Sequence, residues 1–212
     1  GITSDTMVVL YGDQRMATSR VALVLMYLGV KDVRLLNGGY QAWKSAGYKV
    51  EKDIPKVNAA KDFGVNYPVH PEYIMDNKEL KDLLNDEDGV SVSVRSWVEY
   101  VGETSGYSFI DEKGRIAGSV WGHAGTDPYH MEHFRNVDLT MRNYHEISEM
   151  WEEWGITPNK RVEFHCGTGW RASETWFAAY LMGWNKISMY DGGWFEWIKD
   201  DSAPIIRGVK RE

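Results

Sequence analysis

The feature that most constrains this chain is that part of it occurs twice. Ile2 and Ile156, Thr3 and Thr157, Val8 and Val162, Ser19 and Ser173, Gly29 and Gly183, Gly38 and Gly192, Gly39 and Gly193, and Trp43 and Trp197 pair off along two stretches that align without a gap. In the first stretch, Met7 to Tyr11 reads as a strand, a polar loop starts at Gly12, and Ala17 to Leu28 forms an apolar helical pattern ended by Gly29. Val33 to Leu36 reads as a second strand, and Asn37 to Trp43 turns into a short helix that stops near Gly47. The same order returns after Ile156. The shared glycines fall at turns, where a missing Cβ matters, so what repeats is a fold, and strands alternating with helices put it in the α/β class with a parallel sheet.

The two stretches differ most at the first crossing. Gly12 stands where the second stretch has Cys166, the only cysteine of the chain, and Asp13-Gln14-Arg15-Met16 lacks the glycine pair of the second loop. There, a β-prone run from Val162 to His165 ends at Cys166, and Gly167, Thr168, Gly169, Trp170 and Arg171 lead into an Ala- and aromatic-rich helix from Ala172. The first N–H groups of a helix lack partners and its dipole favours negative charge, so this crossing stabilises a thiolate or a sulfur-bound anion without a metal. A lone cysteine is most often a small buried hydrophobe. A packing cysteine, however, needs neither two glycines that turn successive N–H groups inward, nor the Thr168 hydroxyl, nor the charge of Arg171. His165, adjacent on a strand, faces away from the side that Cys166 faces and is read as structural.

Cys166 to Arg171, with Tyr190-Asp191-Gly192-Gly193-Trp194-Phe195-Glu196-Trp197, resembles the C-terminal half of a catalytic rhodanese domain. Val94-Arg95-Ser96, Glu99-Tyr100 and Gly114 to Trp121 are similar to the other signature segments, with one departure, Ser93, where the family usually has Asp. The resemblance implies a three-layer α/β/α fold around a central parallel sheet in tandem domains. Residues 69–207 would be the catalytic domain, 51–68 a linker, and 1–50 the C-terminal half of a non-catalytic domain. It further implies sulfur transfer from thiosulfate or 3-mercaptopyruvate, through a Cys166 persulfide, to cyanide or a thiol. Gly167, Thr168, Gly169 and Trp170 would form the substrate loop, Arg171 and Arg95 would bind the donor anion, and no cofactor or metal would be needed. The wording around His130-Met131-Glu132 and Thr140-Met141-Arg142 most resembles exported bacterial members with three such domains, which implies the periplasm. A cysteine phosphatase is the rival enzyme reading, but His165-Cys166 is followed by four residues before Arg171 where phosphatases have five. A smaller loop suits one sulfane sulfur better than a phosphoryl group. A sulfur-carrier or binding module is the reading outside enzymes.

Composition removes other classes. A net charge of −7 with no basic stripe argues against nucleic acid and anionic membranes, and no apolar run is long enough to span a bilayer. One cysteine excludes an intramolecular disulfide and a Cys-x-x-Cys pair. His123, His130 and His133 lie in an irregular stretch from Gly122 to Arg142, without a nearby cysteine or well-spaced carboxylate to complete a metal set. Between the copies, Glu51 to Pro71 is polar and aperiodic with Pro55, Pro68 and Pro71, as a surface linker is. Asp76 is placed to cap a helix over Asn77 to Leu84, Gly89 to Val94 reads as a strand, Trp97 to Tyr100 as a helical turn, and Asn143 to Trp154 as an amphipathic helix. The first unit lacks half a sheet, and Val21, Leu23, Val24, Leu25 and Leu28 need a surface to pack on. The expectation is that the chain is nicked before Gly1 and that the missing half stays bound as a separate chain.

Overall fold

The computed structural model describes residues 1–208. The first unit holds β1 (Met7–Leu10), α1 (Arg15–Leu28), β2 (Asp32–Leu35) and α2 (Gly39–Ser45), with β1 and β2 paired in parallel. The rest of the chain continues through β3 (Ile74–Met75), α3 (Asn77–Leu84), β4 (Gly89–Ser93), α4 (Trp97–Tyr100), β5 (Arg115–Ile116), β6 (Val120–Trp121) and α5 (Tyr144–Glu152). It ends with β7 (Arg161–His165), α6 (Trp170–Leu181), β8 (Ile187–Tyr190), α7 (Gly193–Trp197) and β9 (Ile205–Ile206). The strand order β3-β8-β7-β4-β6 makes a five-stranded parallel sheet, and β5 pairs antiparallel with β9 at one side.

Both faces of that sheet are covered, so its central strands are buried on both sides. Val162 and Phe164 point into a core shared with Ile147 and Trp151 of α5 and Trp176 and Phe177 of α6. Tyr190 joins the opposite core with Leu80 and Leu83 of α3 and Trp194 and Trp197 of α7. These are the three α/β/α layers with a central parallel sheet that the resemblance implied. Local chemistry sets the boundaries: Asp76 Oδ1 accepts from the Glu79 N–H at 2.8 Å while the Asp76 N–H donates back to Glu79 Oε2, starting α3 where the sequence placed it.

The first unit is held by a helix rather than by a sheet of its own size. Ser19, Ala22, Leu23 and Met26 form the buried stripe of α1, which packs on α6, and α6 is thereby enclosed so fully that every residue from Arg171 to Ala179 is buried. One expectation is corrected here. Val21 and Val24 remain 48 % and 41 % exposed, because the stripe that faces α6 is the one through Ala22 and Met26, and these two valines point elsewhere. From 46 to 70 there is no helix or strand; Ser4 N donates to Phe63 O, and Val69 N and His70 N to Tyr27 O, laying this segment along the first unit. Among the described residues no helix is long and apolar enough to cross a membrane.

Candidate active site

β7 delivers Cys166 to the carboxyl end of the sheet, where the chain must turn into α6. The turn is clamped from behind by α7. Trp194 N donates to Cys166 O at 2.8 Å and Phe195 N to Gly167 O at 3.0 Å. Only glycine fits at Gly193, which has φ +56°, and a Cβ there would lie 2.7 Å from Cys166 O. In a planar trans peptide the N–H points opposite to the C=O, so the Gly167 and Thr168 N–H groups are aimed away from α7. Neither takes part in a backbone hydrogen bond among the described residues. Gly169, left-handed at φ +82°, then caps α6, and Ser173 Oγ donates to its carbonyl at 2.7 Å. The result is a thiol, fully buried, at the end of a strand, followed by free amides and a helix N-terminus.

Cys166 to Arg171 form the turn from β7 into α6, and the two arginines lie buried rather than at the mouth. Arg171 is 0 % and Arg95 1 % exposed, and both are tied to Glu99 on α4. Arg171 Nη1 and Nη2 donate to the two Glu99 carboxylate oxygens at 2.8 and 2.9 Å, whereas Arg95 Nε reaches Glu99 Oε1 at 3.4 Å and its Nη1 donates to Gly114 O at 2.7 Å. Burial alone would raise the Glu99 carboxyl, but the Arg171 guanidinium outweighs it and holds the carboxyl down at about 2. Burial disfavours the charge of Arg171, and the bidentate Glu99 more than restores it. For Arg95, burial prevails over its looser contact and pulls it down. Arg171 and Arg95, expected as direct anion ligands, are both paired with the buried Glu99, while Arg171 Nε is buried without a hydrogen-bond partner among the described residues.

Tyr107 was not singled out from the sequence. Its ring lies against Gly167, where a Cβ would collide with it, and its hydroxyl accepts from Arg171 Nη2 at 3.2 Å. Burial pushes this phenol up to about 12, so at neutral pH it keeps its proton, and an oxygen that accepts from Arg171 is free to donate elsewhere. The only sequence signal was an aromatic set in the polar stretch Ser105 to Ser108, which many surface loops share. Glu99 was quoted only as part of a motif; Ser96-x-x-Glu99 is a helix-start pattern, and it is tertiary burial that makes the carboxylate a counter-ion. Phe109 and Tyr129 flank Tyr107 at 5.3 and 6.4 Å between centroids, beside an open depression of about 430 Å³ that Ser96, Thr126 and Asp127 also line.

His165 turns to the other side of the sheet, as read from the sequence. It is buried with Nδ1 3.1 Å from Glu163 Oε2, which also accepts from Ser91 Oγ at 2.8 Å. His123 and His133 face each other edge-on at 5.1 Å beside Trp121, and His130 pairs with Asp127. Among the described residues no three metal-ligating side chains converge.

The sequence family of the rhodanese-like domain matches residues 2–46 and 76–200. The thiosulfate sulfurtransferase YnjE of Escherichia coli (strain K12) is 52% identical over 211 residues, 99% of this chain and 48% of YnjE. The sulfur carrier protein TtuD of Thermus thermophilus is 33% identical, covering 98% of this chain and 73% of TtuD. Among solved structures, a persulfide-bearing variant of EanB with ergothioneine superposes with a TM-score of 0.94 at 47% identity, over 99% of this chain and 53% of EanB. The chain thus spans about half the length of YnjE and of EanB. These relatives do not support a separate, associated chain over the first unit. By the sequence match over both of its units and the parallel sheet that delivers Cys166 to its loop, the chain belongs to the rhodanese-like domain family.

Proposed function

We propose that this chain moves sulfane sulfur from thiosulfate or 3-mercaptopyruvate to cyanide or a thiol through a persulfide on Cys166, with the chemistry carried by residues 69–207. In the first half-reaction the Cys166 thiolate attacks the outer sulfur of thiosulfate. The sulfur–sulfur bond of the donor breaks, sulfite leaves with the electron pair, and Cys166 carries a terminal sulfur with one negative charge. In the second, the acceptor attacks that terminal sulfur, the Cys166 thiolate leaves, and cyanide departs as thiocyanate. No outside oxidant or reductant is required.

The observation that carries this reading is the clamp of α7 on Cys166 O and Gly167 O, which leaves the following N–H groups facing away from α7 and available to the charge that a Cys166 persulfide would carry. The names of YnjE and other relatives as thiosulfate sulfurtransferases support it. A phosphatase reading is disfavoured because Arg171, which would have to bind phosphate, is already bonded in bidentate fashion to Glu99.

One observation favours a second acceptor class. In EanB the persulfide-bearing cysteine and a substituted tyrosine are separated by the same number of positions as Cys166 and Tyr107, and a substituted threonine follows that cysteine as Thr168 follows Cys166. Other EanB complexes hold hercynine, and the Chlorobium limicola enzyme holds trimethyl histidine. On this reading the acceptor is an imidazole: its ring carbon attacks the terminal sulfur, the persulfide S–S bond breaks with the Cys166 thiolate leaving, the carbon-bound proton is lost, and Tyr107 is the group proposed to relay protons.

Intact mass after thiosulfate treatment tests the first step. One added sulfur on the native chain and none on Cys166→Ser is expected; sulfur on the Ser variant, or none on the native chain, overturns the assignment. Subsequent incubation with cyanide, dithiothreitol or trimethyl histidine identifies the acceptor by which one removes the sulfur. A persulfide that none of them discharges identifies a carrier.

A further inference from the structure

The Cys166 loop is touched by a charge from outside its own unit. Arg20 lies on α1, in the middle of the first unit, and its Nη2 sits 2.5 Å from Oδ1 of Asp191, which precedes the Gly192-Gly193 turn into α7. Its guanidinium lies 5.7 Å from the ring centroid of Trp170, the first residue of α6. Its Nη1 lies 2.4 Å from where a Cβ on Gly169 would be, and that nitrogen is buried with no hydrogen-bond partner among the described residues. Gly169 is thus glycine for two reasons: its left-handed backbone, and the guanidinium laid against it.

The other charges at the loop are disposed differently. Arg171 and Arg95 are sealed beneath it against Glu99, and Tyr107 covers Gly167 as a neutral phenol. On the α7 side, Glu196 lies next to Gly192. Arg20 stands alongside the loop with its side chain 24 % exposed, and its counter-ion Asp191 is 46 % exposed. The Arg20 side chain is partly exposed, whereas its Nη1, against Gly169, is buried and has no hydrogen-bond partner among the described residues, so its charge acts on the loop through space.

We propose that Arg20 is a specificity-determining residue of the Cys166 site, supplied by the first unit: it favours anionic partners at the loop, and Asp191 both holds it there and offsets part of its charge. This deepens the sulfur-transfer reading and rests on Cys166 being the nucleophile. An anion approaching Cys166 past Gly169 and Trp170 gains from the guanidinium beside them and loses from an unopposed carboxylate at the same place. Removing Arg20 and removing the charge of Asp191 therefore have opposite consequences, although both break the same ion pair.

The test compares alkylation of Cys166, the sole cysteine, by iodoacetate and by iodoacetamide. Both reagents need the thiolate, so the ratio of their rates cancels thiolate content and reports the field that an anion meets. The ratio is expected to fall about three- to tenfold in Arg20→Ala, to rise in Asp191→Asn, and to stay near the native value in Arg20→Lys, with all differences shrinking at high salt. A clasp that is merely structural moves both reagents alike. It also shifts Arg20→Ala and Asp191→Asn in the same direction. Either result, or an unchanged ratio, overturns the proposal. If Arg20→Ala fails to fold, Asp191→Asn alone carries the test. A native chain that neither reagent modifies removes the nucleophile reading and the proposal with it, whereas thiosulfate labelling with an unmoved ratio removes the proposal alone.

Discussion

The two strand-to-helix crossings of this protein, β1 into α1 and β7 into α6, share a skeleton and differ in what it holds. In both, a glycine at the start of the following short helix presses on the first loop carbonyl: a Cβ on Gly39 would lie 2.5 Å from Gly12 O, and one on Gly193 2.7 Å from Cys166 O. In the second unit Trp194 N and Phe195 N also donate to Cys166 O and Gly167 O, which turns the following N–H groups away from α7, and the loop is backed by a five-stranded sheet. In the first, the loop has no thiol, its strands pair among the described residues only with each other, and Arg15 at the head of α1 is 3.5 Å from Glu174 of α6, which also pairs with Arg135. The close approach of a glycine to the first loop carbonyl is common to both crossings, whereas among the described residues the hydrogen-bonded clamp on the loop carbonyls, the thiol and the buried Arg171–Glu99 pair belong to the second alone.

The largest effect should come from moving the sulfur. Cys166→Ser is expected to lower donor turnover at least about a thousandfold, and adding Gly12→Cys to that variant should not restore it; thiocyanate release measures both. Recovery in the double variant would make the two crossings chemically equivalent.

Removing the counter-ion comes next. Arg171→Ala leaves the buried Glu99 with the Ser96 hydrogen bonds but with no cation other than the looser Arg95 at 3.4 Å, a change expected to cost about 3–5 kcal/mol in urea unfolding. A stability loss under about 1 kcal/mol, with only the donor KM raised, would return Arg171 to a direct role in anion binding. Substituting the pressing glycines separates skeleton from chemistry. Gly193→Ala and Gly39→Ala each force a side chain into positive φ and onto a carbonyl, at a cost of about 1–3 kcal/mol apiece. Turnover should fall only in Gly193→Ala, and equal loss in both would deny that the second loop is special.

The smallest effect is a slope. The Glu99 carboxyl is held at about 2 in the fold against an ordinary 4.5. As pH falls from about 4.5 toward 2 the unfolded chain takes up a proton that the folded chain refuses, so stability declines over that window. Denaturation at a series of pH values should show this decline flattened in Glu99→Gln, and no such change in a variant confined to the first crossing, such as Asp13→Asn.

Much of the fold was legible because its cues are local. Asp76 with Glu79 marks the start of α3, and Gly29, with φ +109°, marks the end of α1. The burial of Ile147 and Trp151 follows from the period of α5. The site was legible as far as Cys166 and its glycines reach, since N–H direction follows from a strand, a turn and a helix in succession. Val21 and Val24 were misjudged because hydrophobicity says that a side chain gains from burial and not which stripe of a helix meets a partner. The pairing of Arg95 and Arg171 with Glu99 was not legible, because a guanidinium looks equally ready for any anion until its neighbours in space are known.

By itself the sequence determined the α/β class, the two related stretches, and the single position where sulfur chemistry is available, because periodicity, glycine placement and the uniqueness of a cysteine are written along one chain. Tertiary structure alone decided where charge resides. Glu99, Tyr107 and Arg20 reach Arg171, Gly167 and Gly169 from three separate segments, joined by no spacing rule. An ion pair acquires its strength and direction from the desolvation that packing imposes, and desolvation is a property of the assembled fold.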